Sequence, residues 1–275
     1  MEFPNRPDRN PAVMLLRDLI HERTGVFFSD SSVELMMDKL SGLIAERGSG
    51  SLIDFYYHLK YDRDESQWSG VLDAISVRET YFWREFDQIH ALTDIVLPRL
   101  AESARPPLKI WSAACATGEE PLTIAMALSL TGWFDRLPIE IHASDASDIA
   151  LQIARKGVYR ERSFRALPAE YRSRFFTPGD DGLKIKQCLH EKIQWHRVNL
   201  ADRSSVERLA QVPVIFCRNV FIYFSESAIL RTAKLFEQYM QRPGYLFLGA
   251  AESLLKFNVD FELQELGGAF AYVRD

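Results

Sequence analysis

One segment, residues 109–124, constrains the fold more than any other part of the chain. Its pattern predicts a buried strand over 109–114, a turn of small residues, and a helix opened by Pro121. Gly118 permits the tight turn that only a residue without a side chain adopts cheaply, and proline fits the first turn of a helix. The segment is therefore typical of the first strand and helix of an open α/β sheet.

The turn carries two neighbouring carboxylates, Glu119 and Glu120. Open α/β sheets bind their ligands beyond the carboxyl ends of the strands, so we expect both side chains to project into the ligand crevice. Two carboxylates beside a helix N-terminus would repel a pyrophosphate group. They suit a cationic ligand, such as the ammonium group of an amino-acid-bearing cofactor.

After residue 109, apolar strand patterns alternate with helical patterns, which predicts a mostly parallel α/β sheet. The predicted strands are 109–114, 139–144, 193–200, 212–217 and 245–249, and the predicted helices are 121–130, 147–155, 225–240 and 252–256. The last two runs, 261–266 and 270–273, are separated by a glycine pair and indicate a terminal antiparallel hairpin. Class I methyltransferases show this pattern, and so do other doubly wound domains.

A different pattern precedes this domain. Apolar residues recur at helical spacing from Val13 to His58, which predicts a small all-α domain. Residues 60–68 are charged and polar, as in a linker or domain edge. We divide the chain into an N-terminal helical domain over 1–70, a linker over 71–83, and an α/β domain over 84–275.

Residues 157–192 do not fit the alternation of strands and helices, because they are too long for an ordinary connection. A turn cluster at 178–182 and the alternating run 183–189 predict a small β-rich insertion. In and just before it lies a basic run, which indicates either a solvated face or a docking surface for an acidic protein segment and, less readily, for nucleic acid. Its cations are Arg155, Lys156, Arg160, Arg162, Arg165, Arg172 and Arg174.

Composition narrows the class of protein. The net charge of -5 over 275 residues gives no general attraction to nucleic acid. The apolar runs are too short to span a membrane, and the polar N-terminus differs from a secretory signal, so we expect a cytoplasmic protein. Cys115, Cys188 and Cys217 match neither a disulfide framework nor a zinc pattern, and we expect reduced thiols and no metal.

Five segments, taken in order, closely resemble the chemotaxis receptor methyltransferases of the CheR family. They are Arg-Glu-Thr-Tyr-Phe-Trp-Arg at 78–84, Trp-Ser-Ala-Ala-Cys-Ala-Thr-Gly-Glu-Glu-Pro at 111–121, Ala-Ser-Asp-Ala-Ser at 143–147, Phe-Cys-Arg-Asn-Val-Phe-Ile-Tyr-Phe at 216–224 and Gly-Tyr-Leu-Phe-Leu-Gly-Ala-Ala-Glu-Ser at 244–253. The resemblance covers nearly the whole chain. It implies a Rossmann-like class I methyltransferase fold and binding of S-adenosylmethionine, with S-adenosylhomocysteine as product.

The resemblance also implies a set of site residues. Residues 71–83 would include a segment that covers the cofactor, and Arg84 and Tyr223 would act on the substrate. The implied cofactor-binding residues are Arg78, Thr80, Arg84, Glu119, Glu120, Asp145, Asn199, Leu200, Arg218 and Asn219.

Three of these residues have ordinary alternatives when they are judged from the sequence alone. Asp145 follows the second strand, where a carboxylate can accept hydrogen bonds from both ribose hydroxyls. The same position would suit a helix N-cap. Arg84 has aromatic neighbours and would otherwise be a stacked surface group, and Tyr223 lies in an apolar run that would otherwise pack in the core.

The implied reaction transfers the sulfonium methyl group to the side-chain carboxylate of a protein glutamate, which gives a methyl ester. Glutamate has a reference pKa of about 4.3 and is already anionic at neutral pH, so no basic histidine is required. Alignment and exclusion of water would then provide most of the acceleration. Our hypothesis gives Arg84 an aligning role and Tyr223 a weaker hydrogen bond to the substrate.

The chain departs from the family pattern in three places. Family members usually present a basic face on the second N-terminal helix, whereas the charges of residues 32–47 nearly cancel here. Arg78 stands where the family commonly has asparagine, and Ala250 and Ala251 stand where it commonly has a His-Ser pair. These departures concern the choice of substrate and the geometry of the pocket.

We therefore expect a monomeric cytoplasmic enzyme that methylates glutamates of a chemoreceptor-like signalling protein, without nucleic-acid binding or membrane insertion. One alternative is a regulatory module that binds S-adenosylmethionine without transferring methyl groups. Another is a methyltransferase for nucleic acid or a small molecule. Arg-Asn-Val at 218–220 stands where a base methyltransferase would carry an Asn-Pro-Pro type motif, which counts against the nucleic-acid alternative.

Overall fold

A computed structural model describes residues 10–47, 50–61, 66–102 and 106–275. The helices of these ranges are α1 (Pro11–Thr24), α2 (Val33–Glu46), α3 (Leu52–Tyr61), α4 (Ser66–Ile75), α5 (Phe86–Ala91), α6 (Leu97–Ala101), α7 (Glu119–Leu130), α8 (Trp133–Arg136), α9 (Asp148–Lys156), α10 (Ala169–Phe175), α11 (Gln187–His190), α12 (Arg203–Leu209) and α13 (Glu226–Tyr239). The strands are β1 (Leu108–Ala113), β2 (Ile139–Asp145), β3 (Val158–Tyr159), β4 (Phe176–Gly179), β5 (Gly182–Ile185), β6 (Ile193–Arg197), β7 (Val214–Cys217), β8 (Gly244–Leu248), β9 (Glu262–Leu266) and β10 (Ala269–Arg274).

The N-terminal helices α1 to α4 share one hydrophobic core. α1 begins at a proline after Asn10, whose side chain accepts a hydrogen bond from the Ala12 amide, and it ends at Gly25 in the left-handed conformation. α4 was not predicted, and it begins inside the segment 60–68 that we interpreted as a linker or domain edge. Val71 and Ile75 lie one helical turn apart and are buried in the shared core, which explains why this segment is helical.

The predicted boundary at residue 70 falls within α4. Residues 1–9, 48–49 and 62–65 of the predicted helical domain lie outside the described ranges. The domain boundaries at 70 and 83 therefore stay predictions.

The main sheet has seven strands in the order β6-β2-β1-β7-β8-β10-β9. The neighbours from β6 to β8 pair in parallel, whereas β10 pairs antiparallel with both β8 and β9. This arrangement confirms the predicted fold class, including the terminal antiparallel hairpin. Ser112 pairs with Ala143 of β2 and with Phe216 of β7, so the carboxyl ends of these strands meet at one edge of the sheet.

The insertion forms a second sheet of three strands in the order β3-β5-β4. Its aromatic side chains surround Phe82, which is fully buried and lies 4.9 Å from the ring of Tyr159, 5.4 Å from that of Phe164 and 5.1 Å from that of Phe176. The small β-rich insertion is thus confirmed. It packs on the segment that leads into the α/β domain rather than standing apart from it.

Two predicted elements need correction. Residues 252–256 form an irregular segment with a turn at 255–256 instead of a helix, because the Glu252 carboxylate accepts hydrogen bonds from backbone amides of another loop. The strand predicted over 193–200 ends at Arg197, and α12 follows it without having been predicted. Asp202 caps α12 by accepting hydrogen bonds from the amides of Ser204 and Ser205.

In the described part of the chain, no helix is both long and apolar enough to cross a bilayer. Among the same residues, no three side chains of the types that bind metals are grouped closely enough to hold an ion. Cys115 and Cys217 are buried free thiols, and Cys188 is an exposed one.

Candidate functional site

A cavity of about 340 Å³ lies where the carboxyl edge of the main sheet meets the N-terminal helices. This volume is within the range of small-molecule sites, about 300 to 1,000 Å³. Ten of the eleven predicted site residues line it. They are Arg78, Thr80, Arg84, Glu120, Asp145, Asn199, Leu200, Arg218, Asn219 and Tyr223.

Glu119 is the exception, and the prediction that it faces the crevice is corrected. Its carboxylate does not line the cavity and instead accepts hydrogen bonds from the hydroxyls of Thr117 at 2.6 Å and Ser163 at 2.8 Å. Successive residues of a helix are rotated by about 100°, so two neighbours at its first turn cannot face the same way. Burial raises the pKa of Glu119.

The turn after β1 takes an unusual backbone path. Ala114 and Ala116 have φ angles of 60° and 47°, and Gly118 has a φ of 95°. A side chain at Gly118 would also place its Cβ 2.8 Å from the ring of Trp195. Non-glycine residues in the left-handed region are uncommon and often mark functional sites. The path holds the amide of Ala116 toward β2.

Asp145 ends β2 and is anchored by this turn. Its two carboxylate oxygens accept hydrogen bonds from the amide of Ala116 at 2.8 Å and from that of Ser147 at 2.9 Å. Ser147, not Asp145, caps α9, because its hydroxyl accepts the hydrogen bond from the Ala150 amide. Burial raises the pKa of Asp145, and the two amide hydrogen bonds oppose that shift. Each oxygen keeps acceptor capacity toward the cavity.

Glu120 forms the centre of a buried charge cluster. Its carboxylate accepts a hydrogen bond from the Ser112 hydroxyl at 2.6 Å and lies 3.3 Å from Nε of Arg218. Arg218 also approaches Glu85 at 3.7 Å, and its guanidinium is almost fully buried. Burial raises the pKa of Glu120, while Arg218 and Ser112 lower it. Glu85 also lies 3.8 Å from Nε of Arg84, so two carboxylates and two guanidinium groups alternate along the cavity wall.

The buried guanidinium is only partly satisfied. Arg218 donates from Nη2 to the carbonyl oxygen of Arg84 at 2.6 Å, whereas its Nη1 has no hydrogen-bond partner among the described residues. A buried donor without a partner is costly, so such atoms usually face a ligand or water. Arg218 therefore offers a donor to an anionic group in the cavity.

Arg84 lines the cavity from residues 78–85, which we call the covering segment. Its guanidinium donates to the carbonyl oxygen of Glu79 at 3.3 Å and lies 5.6 Å from the ring of Tyr81. The neighbouring rings of Trp83 and Phe86 stack on each other at 4.0 Å. The stacked surface group that we considered for Arg84 is therefore only part of its environment, because its Nε also lies 3.8 Å from a carboxylate oxygen of Glu85 and the residue lines the cavity.

Tyr223 does not pack in the core. It lines the cavity with 36% of its surface exposed, and its carbonyl oxygen accepts a hydrogen bond from the amide of Phe27 at 2.8 Å. Burial raises the pKa of its phenol above the ordinary value, so the hydroxyl keeps its proton at neutral pH. Tyr223 can therefore donate a hydrogen bond inside the cavity.

Asn199 joins the two domains as well as lining the cavity. Its side-chain amide donates to the carbonyl oxygen of Arg23 at 2.7 Å and accepts from the amide of Ala201 at 3.0 Å. The adjacent Leu200 is buried and gives the cavity an apolar surface. The contact with Arg23 belongs to the C-terminal end of α1, so a helix of the N-terminal domain forms part of this wall.

Sequence reasoning missed the role of Glu252. One of its carboxylate oxygens accepts hydrogen bonds from the amides of Asn219 and Gly249, both at 2.7 Å. The other accepts from Phe221 at 2.6 Å and Ile222 at 3.3 Å. Glu252 thereby fixes the loop that carries Asn219 and Tyr223. In the sequence, the only indication of this role was that Glu252 stands next to the altered Ala250 and Ala251.

Glu79 was also missed. It links the covering segment to the insertion, because its two carboxylate oxygens accept hydrogen bonds from Arg162 and Arg165, each at 2.7 Å. The hydrogen bond from Arg165 is the main cause of the lowered pKa of Glu79. The guanidinium of Arg165 also lies 3.7 Å from the centre of the Tyr81 ring. Two cations of the basic run thus hold the covering segment in place.

Two family models match the chain. The one described as "CheR methyltransferase, SAM binding domain" matches residues 78–268, and the one described as "CheR methyltransferase, all-alpha domain" matches residues 12–76. The matches follow each other along the chain and cover most of both predicted domains.

Individual relatives agree with these matches. The chain is 30% identical over 263 residues to chemotaxis protein methyltransferase 2 of Vibrio cholerae, with 94% of this chain and 91% of that protein covered. It is 32% identical to chemotaxis protein methyltransferase 1 of the same organism, with 92% and 93% covered. The probable biofilm formation methyltransferase WspC of Pseudomonas putida is 28% identical, over 93% of this chain and 60% of that protein.

Proposed function

Because this chain belongs to the CheR methyltransferase family, we propose that it transfers the methyl group of S-adenosylmethionine to glutamate side chains of a chemoreceptor-like signalling protein. The products are glutamate methyl esters and S-adenosylhomocysteine. We place the reaction in the cytoplasm and assign it to the monomer, with the cytoplasmic domain of the receptor as the partner. Such methylation would adjust chemotaxis or a related sensory response.

One observation carries this proposal. Glu120, Asp145 and Asn199 follow three neighbouring strands of the sheet, and all three line one cavity together with Arg84 and Tyr223. Groups that would hold a cofactor and groups that would act on a substrate therefore share a single space. A scattered arrangement of the same residues would have removed the basis for the assignment.

The residues of the cavity fit the cofactor of the family. Glu120 and Asp145 are carboxylates whose pKa burial raises, so a cationic ligand would stabilise their charged forms. The free Nη1 of Arg218 suits a ligand carboxylate. Val198 and Leu200 supply an apolar surface for a nucleobase. S-adenosylmethionine combines these features, and when bound it supplies a methyl group on a positively charged sulfur.

The chain itself would orient the substrate and exclude water. A glutamate substrate is anionic at neutral pH, so no side chain has to remove a proton. None of the described residues that line the cavity is a histidine, in keeping with this requirement. We assign the alignment of the carboxylate to Arg84 and a weaker hydrogen bond to Tyr223. The covering segment 78–85 would keep the site dry.

The departures from the family pattern leave this mechanism intact in our proposal. Ala250 and Ala251 lie beside Glu252. The carboxylate of Glu252 accepts hydrogen bonds from the backbone amides of Asn219 and Gly249, and neither alanine side chain takes part in these bonds. Arg78 lies in the cavity wall with its side chain exposed, where it adds positive charge for an acidic substrate. Both observations favour a working enzyme over a regulatory module without methyl transfer.

The ion pairs of the basic run disfavour a nucleic-acid substrate. Arg160 pairs with Asp181, Arg172 pairs with Glu161, and Arg162 and Arg165 both pair with Glu79. Four of its seven cations are thus matched with carboxylates of this chain, and binding of phosphates would have to break those pairs. A protein substrate that binds away from the basic run makes no such demand.

The test has two stages. Calorimetry with S-adenosylmethionine should first show binding at a single site. Labelled methyl transfer to candidate receptor cytoplasmic domains should then give radioactivity that mild base releases, because methyl esters hydrolyse in base whereas methylated amines do not. Binding without any base-labile label on the candidate receptors would favour the regulatory alternative. Label on RNA with a steep salt dependence would favour a nucleic-acid substrate.

A further inference from the structure

We propose that Asp73 of α4 positions Asp145 for the cofactor by capping α9 across the boundary between the N-terminal helices and the α/β domain. Asp73 does not line the cavity, so it would act through the residues that it binds and not by touching the ligand. The inference rests on the proposed function for the identity of that ligand. It adds a positioning residue in the N-terminal helices to the cofactor site.

The first turn of α9 takes its hydrogen-bond acceptors from both parts of the chain. Ser147 precedes the helix, and its hydroxyl accepts a hydrogen bond from the Ala150 amide at 3.1 Å. The amide of Ile149 instead donates to Oδ1 of Asp73 at 3.0 Å. Amides at a helix N-terminus lack partners inside the helix and favour negative charge, so the Asp73 carboxylate caps α9 as a second residue beside Ser147.

Ser147 connects the two aspartates. Its hydroxyl donates to Oδ1 of Asp73 at 2.6 Å, while its backbone amide donates to Oδ1 of Asp145 at 2.9 Å. Ser147 is fully buried, so its hydroxyl cannot turn to water if Asp73 is lost. The residue that holds the Asp145 carboxylate on one side therefore depends on Asp73 on the other. Side chains that bind a ligand keep their geometry only when such supporting bonds hold them.

The contact between α4 and α9 includes a second bond that bypasses Ser147. Ser69 lies four positions before Asp73, so the two side chains share one face of α4. The hydroxyl of Ser69 donates to Oδ2 of Asp148 at 2.5 Å, and the same oxygen lies 3.4 Å from Nε of Arg197. Loss of the Ser69 bond would therefore loosen the same pair of helices without affecting Ser147, which makes Ser69 a matched control position.

Asp73 also affects Asp145 through its charge. Burial is the main cause of the raised pKa of Asp145, the amide hydrogen bonds oppose that rise, and the negative charge of Asp73 adds to it. Other titratable or charged groups lie on the neighbouring elements: Cys115 in the turn after β1, Glu120 at the start of α7, Asp148 at the start of α9, and Arg197, which pairs with Asp145 in the register of β2 and β6. Burial raises the pKa of the Cys115 thiol well above its ordinary value. Removal of the Asp73 charge should therefore lower the pKa of Asp145.

Three variants separate positioning from a general loosening of the contact between the two parts. In Asp73→Asn the amide oxygen can accept the same two hydrogen bonds, so affinity for S-adenosylhomocysteine at neutral pH should stay within about twofold of the parent protein. In Asp73→Ala both bonds are lost, and affinity should fall about tenfold. Ser69→Ala loses the neighbouring bond and should bind like the parent protein. Calorimetry measures the three affinities, and thermal unfolding without ligand measures the stability that each variant loses.

The pH dependence provides a readout that a purely structural role would not change. An ionised Asp145 accepts hydrogen bonds from ribose hydroxyls more strongly than a protonated one, so affinity should fall as the pH drops through its raised pKa. Asp73→Asn lowers that pKa and should therefore keep its affinity to a lower pH than the parent protein, whereas Ser69→Ala should keep the parent profile. In the ligand-free protein, NMR titration of the Asp145 carboxyl carbon, assigned with Asp145→Asn, should show the same shift to lower pH in Asp73→Asn.

Three results would overturn the positioning role. They are parent-like affinity in Asp73→Ala, an equal loss of affinity in Asp73→Ala and Ser69→Ala, and an Asp145 titration that is the same in Asp73→Asn and in the parent protein. The titration needs no ligand, so its outcome is separate from that of the proposed function. A parent protein that binds no S-adenosylhomocysteine would refute the proposed function, and the titration would still decide whether Asp73 acts on Asp145.

Discussion

The two walls of the cavity are held in different ways. The inner wall comprises the strand ends with Glu120, Asp145 and Arg218, which are fixed by buried hydrogen bonds and ion pairs. The outer wall comprises the covering segment 78–85, in which Arg78 and Glu79 are exposed. Its main anchor, Glu79, pairs with arginines in solvent. Solvent and salt weaken such pairs, whereas buried ones are screened much less.

This difference suggests that the inner wall binds the cofactor and the outer wall contacts the partner. A buried, preorganised wall suits a ligand that is the same in every reaction cycle, because little has to be rearranged on binding. An exposed and loosely anchored wall suits a partner whose binding requires adjustment of the wall. We expect substitutions in the inner wall to affect cofactor affinity strongly. Those in the outer wall should affect it weakly.

The largest effect is expected at Glu120. Replacing it with glutamine removes the charge that faces both Arg218 and the ligand, and we expect cofactor affinity to fall about 100-fold or more. The matched variant Glu119→Gln changes the neighbouring buried carboxylate outside the cavity. Its two hydroxyl partners can reorient, so affinity should stay within about threefold. Calorimetry with S-adenosylhomocysteine measures both.

The pH dependence of binding should follow the same contrast. Burial raises the pKa of Glu120 above its ordinary value of 4.5 and that of Asp145 above 3.8. A cationic ligand needs both charged, so affinity should fall as the pH drops through these raised values, earlier than ordinary carboxylates would allow. Glu119→Gln should keep this profile. Loss of the profile in that variant, or equal affinity of the two variants, would contradict the assignment of the inner wall.

An intermediate effect is expected at Glu252, which connects the walls by holding the loop of Asn219 and Ile222. Glutamine can accept with only one of its two terminal atoms, so buried amides lose their acceptor at about 1 to 3 kcal/mol each. We expect methyl transfer to fall at least about tenfold and the midpoint of thermal unfolding to drop by several degrees. Glu262→Gln, on the exposed edge strand, is the control and should behave like the parent protein. Parent-like rates in Glu252→Gln would rule out the positioning role.

The smallest effect is expected at Glu79 of the outer wall. Glu79→Gln should raise the dissociation constant of the cofactor about two- to fivefold at low salt, and the difference should shrink as salt screens the parent pairs. Glu161→Gln breaks a similar arginine pair inside the insertion without touching the covering segment, so it should change nothing. A 100-fold increase of the cofactor dissociation constant in Glu79→Gln would contradict the proposed difference between the two walls.

The lowered pKa of Glu79 sets the pH range of this effect. The folded pKa lies below the ordinary value of 4.5, so the pair stabilises the folded protein above that value and is lost as the pH falls through the folded pKa. Parent and Glu79→Gln proteins should therefore differ at neutral pH and converge in acid below that range. Thermal unfolding followed over pH checks this. Equal unfolding midpoints at neutral pH would show that the pair contributes nothing to stability.

Much of the inner wall could be predicted from the sequence because it follows strand ends. Parallel strands end at one edge, so Glu120, Asp145 and Asn199 had to lie close together once the strands were recognised. The error at Glu119 arose because both glutamates were assumed to face the edge of the sheet. They lie in the first turn of a helix, where neighbouring side chains point in different directions. The rotation of that helix depends on packing that no local pattern shows.

The outer wall could not be predicted in the same way. The link from Glu252 to Asn219 joins residues 33 positions apart, and that from Glu79 to Arg165 joins residues 86 apart. Neither leaves a periodic signal, because a single side chain that binds a distant backbone or arginine imposes no repeat on its neighbours. The bridge between Val26 and Phe224 also leaves no signal in the sequence, because a single bridge imposes no alternating strand pattern.

That bridge, together with the bond from Asn199 to Arg23, means that the chain is modular in sequence but not in its cavity. The two family matches meet near residue 77, which suggests from the sequence that each part could be exchanged independently. A methyltransferase half fitted with the helices of a relative would receive new neighbours for Asn199 and Tyr223 along with a new outer surface. A change in the N-terminal helices therefore alters the cofactor cavity as well as the outer surface.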